Sequence, residues 1–122
     1  GTQVPFHCTA SGKMYLSSLR TSYLERFLAT AVLEKRTPRT ITNQSELKAE
    51  IELTRKRGFA TDNEEFMEGM AAIAVPILDD QKRLVSTLSV HAPIQRHNLA
   101  GLTGNVEYLK TAAHELTLMI NS

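Results

Sequence analysis

Three short stretches of the sequence carry side chains suited to ligand binding or acid–base work. The first is His7-Cys8-Thr9-Ala10-Ser11-Gly12-Lys13. Thr9 is a ready N-cap, so a helix starting here leaves the backbone N–H groups of Ala10, Ser11 and Gly12 without partners in the helix. Those groups and the helix dipole favour an anion such as a carboxylate. Gly12 permits a ligand or a neighbouring backbone to come close. The same residues equally describe an ordinary capped helix start with a glycine for packing. Gly12-Lys13 lacks the remaining glycine and the Ser or Thr of a nucleotide phosphate loop.

The second stretch is Asp62-Asn63-Glu64-Glu65. Neighbouring carboxylates do acid–base chemistry when their surroundings push their proton affinities apart, and otherwise make a solvated loop. No ligand partner at useful spacing points to a metal here, and Asp62 is the member expected to turn inward. The third is Ser89 with His91. In a strand these two share a face, where they either bind a small polar ligand or pack beneath a helix with one hydrogen bond each. A nucleophilic Ser–His pair needs a strained turn of the Gly-x-Ser-x-Gly kind, which is absent. Cys8 with His7 or His91 is a conceivable Cys–His pair, although a lone cysteine more often acts as a small buried hydrophobe.

The elements that must position these residues follow from caps and periodicity. An extended opening is broken at Pro5, and a helix runs from the Thr9 cap to Leu19. Ser22 and Glu25 form a capping-box pattern for a second helix bearing Leu24, Phe27, Leu28 and Ala31, and Pro38 closes that region. Asn43 and Glu46 repeat the pattern ahead of a helix striped by Leu47, Ile51 and Thr54, which ends at Gly58. The basic run Arg55-Lys56-Arg57 sits where cations complement the helix dipole. Phe59 to Thr61 is extended, and Ala71 to Leu78 is a continuous apolar run suited to a buried strand. Asp79-Asp80-Gln81-Lys82 reads as a hairpin turn into Arg83 to Val90, the partner strand, which Pro93 ends. Asn98 or Thr103 caps a last helix with the stripe Leu102, Val106, Leu109, Ala113, Leu116 and Ile120. Helices with an antiparallel hairpin in this order predict an α+β domain.

The totals restrict the function classes. The 122 residues fit one domain, spanning 1–122. A formal net charge of +1 gives no sign of a nucleic-acid surface. A single cysteine excludes an intramolecular disulfide and any zinc site that needs two or four cysteines, and its usage fits a cytoplasmic setting. No apolar run approaches the ~20 residues that span a bilayer, and no signal peptide opens the chain. No cofactor is expected. The first residues, Gly1 to His7, look like the middle of a domain.

Three blocks, taken in order, resemble the C-terminal effector-binding domain of IclR-type bacterial transcriptional regulators. They are Pro5-Phe6-His7-Cys8-Thr9-Ala10-Ser11-Gly12-Lys13; Arg55-Lys56-Arg57-Gly58-Phe59-Ala60 with Asp62, Glu64, Glu65 and Gly69; and Ala72-Ile73-Ala74-Val75-Pro76-Ile77 with Ser89-Val90-His91-Ala92-Pro93-Ile94-Gln95-Arg96. The resemblance implies a GAF-like or profilin-like fold, an antiparallel sheet flanked by helices, of which this chain would be the C-terminal two thirds. It implies no catalysis. It implies a small carboxylic-acid effector, organic or aromatic, held by backbone at Ala10 and Ser11, with Asp62, Ala72, Ser89 and His91 around it. Where His91 and Ala92 stand, the family often has a small residue and a glycine. The resemblance also implies a homodimer or homotetramer, and DNA contact only through an N-terminal helix-turn-helix that this chain lacks. A missing strand would expose a sheet edge for a subunit contact. The alternative is an acid–base or hydrolase-like enzyme using His91 with Asp62 or Cys8.

Overall fold

The computed structural model describes residues 5–120. The sequence-based reading of the opening run up to Val4 lies outside the described residues. In chain order the elements are α1 (Ala10–Ser18), α2 (Thr21–Thr30), α3 (Gln44–Arg57), β1 (Ala60–Asn63), β2 (Met70–Leu78), β3 (Leu84–Pro93), α4 (Leu99–Thr103) and α5 (Val106–Ile120). The strands form an antiparallel sheet in the order β1-β2-β3. The α+β class expected from the sequence is the class observed.

Register divides the sheet into two chemically different faces. Ala71, Ile73, Val75, Ile77 and Ala92 pack against Leu102, Val106, Leu109 and Ala113 of α4 and α5. The opposite face presents Ala60, Ala72 and Ala74 to Ala10 and Met14 of α1. Alanine on both sides lets α1 lie close to the sheet, where larger side chains would hold it away. The other side of α1 joins a third cluster, in which Leu16 meets Leu24 and Leu28 of α2 and Leu47 and Ile51 of α3. Helix α1 is therefore buried between sheet and helices.

Several local expectations hold. The Thr9 side chain accepts from Gly12 N, Asn43 accepts from Glu46 N, and Asn98 accepts from Gly101 N, each capping its helix. Gly58 ends α3 in the left-handed region at φ 81°. The hairpin turn at Asp79–Lys82 is braced by Asp79 Oδ1, which accepts from Gln81 N and Arg83 N.

Others are corrected. Ser22 does not cap α2: the helix starts at Thr21 after Arg20, whose side chain makes no capping bond, because only two residues separate α2 from α1. The last helix is two. Asn105 N bonds Leu102 O across the break after α4, so Thr103 ends a helix and caps none. Within the expected stripe, Leu116 and Ile120 are exposed, because the sheet beneath α5 runs out before them. The end of the partner strand at Pro93 is as expected, its ladder continuing past Val90 because Ala72, Ala71 and Met70 stand opposite His91, Ala92 and Pro93. The basic run serves more than its own helix. Arg55 reaches across to donate to Ser17 O at 2.8 Å and to Leu19 O, satisfying carbonyls at the end of α1. Arg57 pairs with Glu50 and lies over the Phe59 ring.

Candidate functional site

The N-terminus of α1, the β1–β2 turn and the last residues of β3 surround a cavity of about 510 Å³. Thr9 and Ser11 line it from the start of α1, Asp62 from the end of β1, Phe66 and Met67 from the turn, and Met70, Ala71 and His91 from the sheet. Pro5 and Arg36 complete the wall. The size and the mixed lining are those of a small-molecule site.

The start of α1 is shaped by Gly12. A Cβ there would stand 2.6 Å from Phe6 Cα, 2.6 Å from Thr9 Oγ1 and 2.8 Å from Pro5 O. Only glycine lets the Pro5-Phe6 segment fold back over the first turn. Thr9 Oγ1 donates to Pro5 O at 2.7 Å and accepts from Gly12 N at 3.0 Å. The N–H groups of Ala10 and Ser11 keep no partner within the helix, so the first turn retains donors and a positive dipole end.

The acidic turn departs from the solvated loop its sequence describes. Asp62 and Glu65 are both buried. Asp62 Oδ1 accepts from Glu65 N at 2.8 Å and Phe66 N at 3.4 Å. Glu65 Oε2 accepts from Asn63 N at 2.9 Å, while its Oε1 lies 2.6 Å from Lys13 Nζ. That last contact is a buried ion pair, and it is what neutralises Oε1. Lys13 is fully buried and also donates to Thr61 O at 2.8 Å. The lysine of the Gly-Lys pair therefore turns away from any anion at the helix start and fastens α1 to the turn beneath it. Burial is the largest influence on Asp62 and pushes its carboxyl up, against the opposing pull of Glu65 N–H. Glu64 holds φ 57°, an uncommon conformation for a side chain of its size, with its carboxylate accepting from Gly69 N.

The six residues named from the sequence separate into two groups. Ser11, Asp62 and His91 meet at the cavity. Ala10 and Ala72 are buried in the cluster between α1 and the sheet. Ser89 pairs with Ala74, one step along the same face as His91, which pairs with Ala72. Its side chain is half-buried and does not line the cavity. His91 is exposed and, among the described residues, has no hydrogen bond to Asp62 or Cys8. Cys8 is buried, and burial raises its thiol to about 11. It offers no thiolate at neutral pH. His7 is occupied by the Glu34 carbonyl at 2.8 Å.

Arg36 is the charged lining residue that the sequence reading passed over, and Phe66, Met67, Met70 and Ala71 were not expected in the site either. Arg36 stands on an irregular stretch between α2 and α3, far along the chain from the other contributors, with no motif to mark it. The segment is tied to the acidic turn: Thr37 Oγ1 donates to Glu64 O and Thr40 Oγ1 to Glu65 O, both at 2.6 Å. The signal available in the sequence was the pair Thr37 and Thr40 flanking Pro38, whose hydroxyls had to find partners once buried.

Comparison with known proteins identifies the family. The family model for the C-terminal domain of the bacterial transcriptional regulator IclR matches residues 1–118. The chain is 39% identical over 116 residues to the probable transcriptional regulator SauR of Cupriavidus necator, a match covering 95% of this chain and 46% of that protein. Among solved structures, Thermotoga maritima IclR superposes with a TM-score of 0.88 at 34% identity, covering 100% of this chain and 49% of that one. The inducer-binding domain of a PobR double mutant from Acinetobacter, solved with 3-hydroxybenzoic acid, superposes at 0.89 with 29% identity, covering 96% of this chain and 67% of that one. The chain spans about half the length of the full regulators it matches.

Proposed function

The chain belongs to the C-terminal domain family of the bacterial IclR transcriptional regulators, and from that premise we propose that residues 1–122 are a ligand-sensing domain whose cavity binds a small organic or aromatic acid. The observation that carries this reading is the meeting of the α1 start with Asp62, Ser11 and His91 around one cavity of about 510 Å³. A carboxylate would lie against the N–H groups of Ala10 and Ser11, which have no partner within the helix. Asp62 and His91 would address the remaining polar groups of the ligand, with Ala72 buried behind them and Ser89 one step further along the strand. No group is required to react, and the named relatives are regulators.

The ligand would act by binding one conformation or subunit arrangement better than another, and so alter DNA affinity through a helix-turn-helix elsewhere in the intact protein. Self-association as a dimer or tetramer is part of this reading. It is supported by the exposed apolar residues Leu116, Leu118 and Ile120 on α5 and by β3 at the edge of the sheet. No helix among the described residues is long and apolar enough to cross a membrane.

The test is a thermal-shift screen of the intact regulator against small and aromatic carboxylates. A ligand selective for the folded state stabilises it by about 2.7 kcal/mol at a hundred times its Kd. The expected result is a saturable rise for one class of acid, lost in Asp62→Ala, together with altered operator binding. Turnover of the bound acid would favour an enzyme instead. A flat response across the panel would overturn the acid-sensing reading.

A further inference from the structure

We propose that Arg36 is a specificity-determining residue of this cavity, and that the cavity takes a small acid bearing a second anionic group, received by Arg36. This rests on the reading of the cavity as the effector site and adds the charge pattern of the effector.

Two features of Arg36 carry the inference. Its side chain lines the cavity, and no other Lys or Arg does so among the described residues. It also has no carboxylate within the 4.0 Å of an ion pair among the described residues. Its neighbour Arg39 reaches Glu64 at 3.8 Å, so an acidic partner stands nearby and Arg36 is not directed to it. What Arg36 has instead is the Phe66 ring, 5.1 Å from its central carbon. A ring contact takes up no N–H donor, so the guanidinium keeps its fork, which matches carboxylate or phosphate oxygens.

The placement is built rather than incidental. Thr40 Oγ1 accepts from both Arg36 N at 3.0 Å and Thr37 N at 2.9 Å, and the same threonines bond the carbonyls of Glu64 and Glu65. The backbone of Arg36 is thereby locked to the turn that carries Phe66 and follows Asp62. The start of α1 is a separate attractor for an anion, contributed by a different element. A cavity of about 510 Å³ has room for an acid group at each. Asp62 does not forbid this: its Oδ1 is taken up by Glu65 N and Phe66 N, and burial disfavours its charged form.

The experiment is calorimetric titration of the intact regulator with two matched pairs, benzoate against isophthalate and butyrate against succinate. The expected result is at least a tenfold preference for the diacid in one pair. Arg36→Gln should erase that preference by weakening the diacid about tenfold, with the monoacid within twofold of its former affinity. Arg36→Lys should keep part of it, as a charge without the fork. Equal affinities within each pair, or a loss in Arg36→Gln that strikes monoacid and diacid alike, would overturn the role of Arg36 while leaving the cavity as an acid site. Absence of binding by all four probes would remove both readings. Arg36 is exposed, so an unchanged urea midpoint for Arg36→Gln separates binding from folding.

Discussion

Lys13 shows how a charged side chain near a helix start can serve the fold. It follows a glycine at the first turn of α1, and it is buried against Glu65 and the Thr61 carbonyl. Lys13→Met should destabilise the domain by about 3–5 kcal/mol, because it leaves the Glu65 carboxylate buried without its partner. Adding Glu65→Gln should restore part of the loss in urea denaturation; a double variant weaker than the single would contradict the pairing. Asp62 makes a pH-dependent prediction. Its folded-state proton affinity is raised from the ordinary 3.8, so its contribution to stability is full below that pH and declines as pH rises through the folded value. Asp62→Asn keeps an acceptor for Glu65 N and Phe66 N and cannot ionise. Its stability relative to the parent should therefore climb as pH rises above 3.8 and then level off. A difference that stays constant across the acid range, measured by denaturation at stepped pH, would contradict the assignment.

At the scale of elements, the start of α1 is the part on which both packing and ligand geometry depend. Gly12→Ala places a Cβ against backbone of Pro5 and Phe6, which cannot swing aside as a side chain would. The expected cost is about 1–3 kcal/mol from overcrowding. The displaced Pro5 segment should weaken acid binding as well, and calorimetry with denaturation would show both losses together. The cap of α3 offers a control remote from the cavity. Asn43→Ala should cost about 1 kcal/mol through loss of the bond to Glu46 N, with ligand affinity unchanged. Caps of this kind were legible in the sequence because a cap depends on residues three apart. The failure at Ser22 has the same origin: its spacing to Glu25 satisfies the pattern, but the short α1–α2 connection starts the helix two residues earlier, with Arg20 at the cap.

For the whole molecule, two faces of the sheet divide the labour. One is packed with branched side chains against α4 and α5, and the other is lined with alanine and carries α1 and the cavity. The far end of α5 extends past this packing with Leu118 exposed. If α5 contributes to the subunit contact, Leu118→Glu should shift the intact regulator toward smaller species in light scattering at fixed concentration, while acid binding persists. An unchanged mass would place the contact elsewhere.

The order of the secondary elements, the strand pair, the αL glycine after the basic run and the inward turn of Asp62 follow from local pattern. These depend on residues close in the chain, whose propensities and caps act before distant partners are present. The resemblance of three spaced blocks added the family, which periodicity could not supply. Only the tertiary structure decided which polar residues share the cavity. Register put His91 opposite Ala72, on the face that α1 covers. Burial turned Lys13 and Glu65, far apart in the chain, into partners. The threonines at 37 and 40 brought Arg36 to the rim of a site it shares no motif with. Each of these contacts is selected by the cost of leaving a charge or a hydroxyl buried and unpaired, a cost that exists only once the layers have closed.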